Sequence, residues 1–218
     1  MINLKDLIDS YLNPPICNQS YIEKLRNDVK NNNEAWENRA ILSSKSFLKA
    51  ICFKVVSESM LENKINFIFP PIGFYYSVFH LSLSMLFLER TTEISQLKKI
   101  HHNTLIKLVK NKLIQTKLID KGYENWYAEL RELREFCNYN FGYQENLEKL
   151  TNKISKNANR AFDEGIRFNR HILNITDNLF RFQVGIGDGF GDDILDTYIS
   201  EEDKANVWSD LAQFGMTV

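Results

Sequence analysis

The chain has 218 residues, 44% of them hydrophobic and 25% charged, with a formal net charge of −1. That length and balance exclude a disordered chain and allow a sizeable buried core. Nine glycines and four prolines are too few for a many-turned β-protein, and three dispersed cysteines (Cys17, Cys52, Cys137) supply neither a disulfide framework nor metal-ligand spacing, which favours a reducing compartment. In chain order, residues 1–12 read as a short amphipathic helix stopped by Asn13-Pro14-Pro15. Acids interrupt its apolar positions, so it does not read as a secretory signal. Residues 20–62 read as helical with a break near Asn31-Asn32-Asn33; in the second half Trp36, Ala40, Phe47, Ala50, Ile51, Val55 and Met60 recur at roughly helical spacing.

Ile65–Leu88 contains no charged residue if His80 is neutral, so a membrane span has to be weighed. Pro70-Pro71-Ile72-Gly73 predicts a turn, leaving a helix over 74–89, about 16 residues and short for a bilayer. That helix carries Ser77, His80, Ser82 and Ser84, and an all-round apolar helix also suits the centre of a bundle. The expectation is a buried core helix, no membrane insertion and a cytoplasmic location. Ser95 is the predicted N-cap of a helix over 96–115, and another is predicted over 124–139, ending near Gly142.

The clearest periodicity follows. Leu147, Leu150, Ile154, Ala158, Ala161, Gly165, Phe168, Ile172, Ile175 and Leu179 are three or four residues apart throughout, an apolar stripe on one helix of about nine turns. Gly165 on that stripe costs helix propensity but admits close approach of a neighbouring helix. Beyond it, residues 183–218 open with four glycines at alternate positions (Gly185, Gly187, Gly189, Gly191) and hold eight acids against one base. Their net charge of −7 leaves the other 182 residues at +6. A basic body can attract phosphate, and an acidic tail can compete for the same surface. The glycine-rich segment lacks the Gly-Lys-Ser/Thr of a phosphate loop and the acid spacing of a calcium loop.

Three segments, in order, resemble the HEPN superfamily. Gly73-Phe-Tyr-Tyr-Ser-Val-Phe-His-Leu-Ser-Leu-Ser-Met-Leu86 is similar to its aromatic, histidine-containing helix. Lys99-Ile-His-His-Asn-Thr-Leu-Ile106 is similar to its Lys-x-His segment, and Leu130-Arg-Glu-Leu-Arg-Glu-Phe-Cys-Asn-Tyr139 looks like the helix in which an Arg precedes a polar residue and a Tyr. The resemblance covers about 36–180 loosely and is most specific over 73–141. It implies an all-α, HEPN-like up-and-down helical bundle over 36–182, here with an N-terminal helical extension over 1–35 and an acidic C-terminal tail over 183–218. It also implies a homodimer, a toxin–antitoxin or antiviral defence setting, and RNA, a nucleotide or a partner protein as ligand. Many relatives are ribonucleases in which four to six residues stand between an Arg and a following His. After Arg134 those positions hold Tyr139, Asn140 and Phe141. Arg167 and His171 stand closer together than that motif and on another helix.

The expected function is therefore binding without the usual ribonuclease site. The alternatives are an active metal-independent ribonuclease with a rearranged site at a dimer interface, and a purely structural subunit. Arg134 is the main candidate, a fixed planar cation suited to phosphate. Asn138 lies one helical turn on, and Tyr139 could stack on a base. Arg131 shares the helix. His80 reads as a core histidine. His101 and His102 stand beside Lys98 and Lys99, whose charge favours neutral imidazoles. If catalysis survives, a His101–Arg134 pair is the expected choice. Lys98–Lys121 holds seven lysines against Asp120, and Lys98, Lys99, Lys107 and Lys110 join His102, Arg131, Asn138 and Tyr139 as the expected nucleic-acid contacts. No carboxylate has helical spacing to the histidines, so neither a metal nor a cofactor is expected.

Overall fold

In the computed structural model, which describes residues 19–63, 68–139 and 147–175, the described chain is all-α with no strand. Its helices are α1 (Gln19–Asn31), α2 (Asn33–Glu62), α3 (Phe69–Leu88), the single turn α4 (Ile94–Leu97), α5 (His102–Val109), α6 (Gly122–Tyr139) and α7 (Leu147–Ile175); α5 continues into a π-helical turn, Lys110–Ile114. The helix expected at 1–12, the stop at Gly142 and the acidic tail fall outside the described residues.

The break expected near Asn31–Asn33 is a capped restart. Asn32 leaves helical geometry (φ −148°, ψ 64°), and its side-chain oxygen accepts a hydrogen bond from the Ala35 N–H. On α2, Trp36, Ala40, Phe47, Ala50, Ile51 and Val55 are buried, as the spacing predicts, while Met60 of the same set is half-buried. Leu25 and Val29 of α1 join the same core.

Helix α3 is the centre of the bundle, packed against α2, α7, α6 and α5. It begins at Phe69, not at residue 74. Pro70 and Pro71 lie in its first turn, where backbone N–H groups have no intrahelical acceptor and a missing N–H costs nothing. The prolines therefore start this helix; they do not precede it. At 20 residues it is long and apolar enough to reach across a bilayer, but most of it is covered by protein. Its serines are satisfied inside that apolar setting. Ser77 and Ser82 donate to the Phe74 and Val78 carbonyls, 2.7 and 2.8 Å away. Ser43 of α2 donates to the Ser84 carbonyl (2.9 Å), and Asn169 of α7 donates to the Ser84 hydroxyl (3.1 Å).

The far end of α3 is held by Arg39. Its guanidinium donates to the carbonyls of Phe87, Glu89 and Thr92 at 3.0, 3.2 and 2.6 Å, satisfying groups a helix end leaves open. The stripe on α7 faces α3, and Ile154, Ala158, Ala161, Phe168 and Ile172 are buried. Gly165 meets Leu81 of α3 so closely that a Cβ would lie 2.5 Å from the leucine Cδ1.

The single helix expected over 96–115 is instead two helices and a turn. Residues 98–101 leave the helix, and α5 restarts after His101 in extended geometry (φ −85°, ψ 151°). No side-chain hydrogen bond caps α4, so Ser95 does not serve as its N-cap. The interruption lets both Leu97 and Leu105 reach the core, at 3% and 0% exposure. Lys117, at φ 61°, closes the segment in the left-handed conformation common just past a helix end.

Candidate functional site

Four residues on one edge of α3, Tyr75, Tyr76, Phe79 and His80, recur at helical spacing and build one wall of the site. Helix α5 adds His102 in its first turn. The imidazole lies 4.7 Å from the Phe79 ring, 5.5 Å from Tyr75 and 6.0 Å from Tyr76, centre to centre. The Tyr75 hydroxyl stands 2.6 Å from His102 Nδ1 and 3.1 Å from the Tyr127 hydroxyl on α6. Tyr75 and Tyr127 are fully buried, so this polar chain runs from the core to the half-exposed imidazole.

Helix α6 adds the cations. Tyr127, Arg131, Arg134 and Asn138 are spaced four, three and four residues apart and share one face. The Arg134 guanidinium lies 5.3 Å from the centre of the Tyr75 ring and 5.9 Å from that of Tyr76, a cation–π arrangement that orients it without neutralising it. Burial opposes its charge, and a hydrogen bond to the Tyr76 side chain supports it. Among the described residues no carboxylate pairs with Arg134, and its buried Nε has no hydrogen-bond partner. By contrast, Arg90, Arg131 and Arg167 pair with Asp28, Glu135 and Glu164. Arg131 also reaches α5, donating to the Asn103 side-chain oxygen at 3.1 Å.

Both site histidines are pushed toward the neutral form. Burial pushes the His102 pKa down, and the charges of Arg134, His101 and Arg131 add to it against Glu135. His80 is pushed down to about 4, by burial first and then by Lys49 and His102. Its ring stacks on Phe53 (5.7 Å, 10° between planes) and meets Phe79 edge-on at 5.4 Å.

His101 is the exposed residue preceding α5, and His102 is the one whose ring enters the cluster with Arg134. Asn138 is half-buried, while Tyr139 is 73% exposed at the end of α6. Lys98, Lys99, Lys107 and Lys110 are exposed, but they are spread over α4, α5 and their connections and not along one helix. Lys110 is tied to Glu124 at 2.8 Å, and Lys112 to the Thr91 hydroxyl at 2.9 Å. Tyr75, Tyr76 and Tyr127 were not singled out from sequence. The signal for Tyr127 was its place seven residues before Arg134, on the same helix face.

Among the described residues no group of three or more His, Cys, Asp or Glu side chains is placed to hold a metal ion. A separate shallow groove of about 250 Å³ between α6 and α7 is lined by Leu133, Phe136, Leu150 and Ile154 with Glu129, Glu132 and Lys153 at its rim. No protein-family model, curated protein or solved structure matches the chain. The site therefore rests on its own chemistry. It offers an aromatic-held guanidinium with no carboxylate partner among the described residues, an imidazole anchored through Nδ1 and pushed toward its neutral form, and exposed lysines on α5 and its connections.

Proposed function

We propose that the chain is a HEPN-like helical protein that binds the phosphate of RNA or of a nucleotide at the Arg134–His102 cluster. The observation that carries this reading is the state of Arg134, a half-buried cation held by two aromatic rings with no carboxylate partner among the described residues. A half-buried guanidinium without a carboxylate partner gains from an anionic oxygen, and its planar fork of donors matches phosphate geometry. This reading assigns further contacts with a nucleic-acid strand to Arg131 on the same helix face, to the exposed lysines and to the exposed ring of Tyr139. The toxin–antitoxin or antiviral defence setting and the homodimer belong to the same proposal and rest on the three-segment resemblance; a partner protein carrying an anionic group is the competing ligand.

A second reading is a metal-independent ribonuclease with a rearranged site. It is supported by the neutral imidazole of His102 in the cluster that holds Arg134, because a neutral ring can accept a proton from a ribose hydroxyl. Labelled single-stranded RNA of mixed sequence separates the readings. Charge-assisted contacts of this kind contribute about 1.5–3 kcal/mol, so Arg134→Ala is expected to weaken binding about 10- to 100-fold. Unchanged affinity in that variant would refute the site. RNA cleavage abolished by both Arg134→Ala and His102→Ala would favour the ribonuclease.

A further inference from the structure

The Tyr127–Tyr75–His102 chain has a direction that can be worked out by counting protons. Each tyrosine hydroxyl has one proton to donate, and a neutral imidazole has one N–H and one acceptor nitrogen. Tyr75 contacts both neighbours, while Tyr75 is the one hydrogen-bond partner of the Tyr127 hydroxyl among the described residues. Three arrangements satisfy the distances, and in the third of them Tyr75 accepts from both neighbours and leaves its own buried proton without an acceptor. In the first, Tyr127 donates to Tyr75, Tyr75 donates to His102 Nδ1, and the imidazole proton sits on Nε2. In the second, His102 Nδ1–H donates to Tyr75, Tyr75 donates to Tyr127, and the Tyr127 proton has no acceptor. Tyr127 is 1% exposed, so that proton would be buried without a partner. Leaving a buried donor unmade is the costly half of hydrogen bonding, and the first arrangement avoids it.

We infer that Tyr75 and Tyr127 are positioning residues that hold His102 as the Nε2–H tautomer, so that its free nitrogen offers the site a hydrogen-bond donor and not a base. The phosphate as recipient of that donor rests on the function proposed above; the tautomer does not. The same chain resists a second proton on the ring. A cationic imidazole would have to donate from Nδ1 into Tyr75, which strands the buried proton of either Tyr75 or Tyr127. The charged groups facing the ring act in the same direction. Arg134 and Arg131 on α6 and His101 before α5 disfavour a cation there, Glu135 on α6 favours it, and His80 on α3 is coupled to it as a second neutral imidazole. A donor beside Arg134 suits an oxygen that carries charge before any reaction, which is the chemistry of a bound phosphodiester. It does not suit removal of a proton from a ribose hydroxyl.

Long-range nitrogen–proton NMR on the histidine-labelled full chain near pH 7.5 reads the tautomer without any ligand. His102 should show a protonated Nε2 and a bare Nδ1; a proton on Nδ1, or on both nitrogens, overturns the inference. The double variant Tyr75→Phe with Tyr127→Phe removes both hydroxyls together while keeping the rings, and should leave His102 as a mixture of tautomers. A ring still fixed as Nε2–H would show that the tyrosines do not position it. In the binding arm, probed with the labelled single-stranded RNA, His102→Gln retains an N–H near the Nε2 position and should bind within about threefold of the unmodified chain. His102→Ala should bind about tenfold more weakly. Equal loss in the two variants overturns the donor role. If Arg134→Ala binds as tightly as the unmodified chain, the phosphate reading fails while the tautomer result stands.

Discussion

His80 and His102 pack against the same Phe79 ring, yet they do different work. His102 is anchored through Nδ1 and half-exposed; His80 is stacked on Phe53, with its pKa pushed down to about 4. An unfolded chain would take up a proton at His80 near pH 6.5, whereas the folded chain refuses it until about pH 4. Between those values the unfolded state binds more protons, so stability is full above about pH 6.5 and falls as the pH drops. The loss through this one residue is up to about 3 kcal/mol. Urea denaturation across that window should show a shallower acid limb in His80→Phe, which keeps a stacking ring and loses the titration. An unchanged slope would place the acid sensitivity elsewhere. Residue identity was the legible part of this site. Arg134, Arg131 and His102 stood out in sequence as charged or titratable groups. That the ring meeting Tyr75 belongs to His102 and not to its neighbour depends on where α5 restarts, and a one-residue choice of that kind is made by the backbone after Ile100.

At the scale of elements, α3 and α7 show how one pattern is read well and another misread. The stripe on α7 could be read directly, because residues three and four apart must share a face whatever lies opposite. Its glycine is the contact point. Placing Ala at Gly165 gains about 1 kcal/mol of helix propensity but drives a methyl into Leu81, which is fully buried and has little room to move. Overpacking of this sort costs about 1–3 kcal/mol, so Gly165→Ala should be destabilised by roughly 1 kcal/mol or more in urea. Adding Leu81→Ala should then cost less than it does in the unmodified chain, a non-additivity that marks direct contact. A more stable Gly165→Ala would show that the helices are not in close contact there. The start of α3 was misread because two adjacent prolines signal a break inside a helix and a beginning at its first turn. The sequence contains the prolines but not the register that decides between the two. Helix α5 was misread for a related reason: nothing in Lys98–His101 is a strong breaker, and the interruption follows from bringing both Leu97 and Leu105 inward.

For the molecule as a whole, charge is divided more sharply than the net value of −1 suggests, with −7 in residues 183–218 and +6 elsewhere. If the basic body meets a nucleic-acid backbone, affinity for single-stranded RNA should fall steeply with salt, with a logarithmic slope of about 0.7 per phosphate neutralised. Binding that ignores salt would contradict an electrostatic contact. If residues 183–218 compete for the same cations, deleting them should raise RNA affinity at low salt, with the gain shrinking as salt is added. An affinity unchanged by the deletion would show that the acidic segment does not act on this surface. The lysine-rich stretch contributes less concentrated charge than its sequence suggests, since Lys110 is already paired with Glu124, Lys112 donates to Thr91 and the stretch is broken into short elements.

The sequence by itself determined the class of fold. Its sparse breakers, the uncharged segment around α3 and the three-and-four spacing on α2 and α7 leave a bundle of helices as the economical way to bury apolar faces. It also determined which residues carry fixed or titratable charge. Only the tertiary structure decided which of them meet. Tyr75 on α3, His102 on α5 and Tyr127 and Arg134 on α6 are far apart in the chain, and their hydrogen bonds and ring contacts exist because three helices converge. Local pattern constrains a helix and its faces; the register between helices is set by packing, and the candidate site is made of that register.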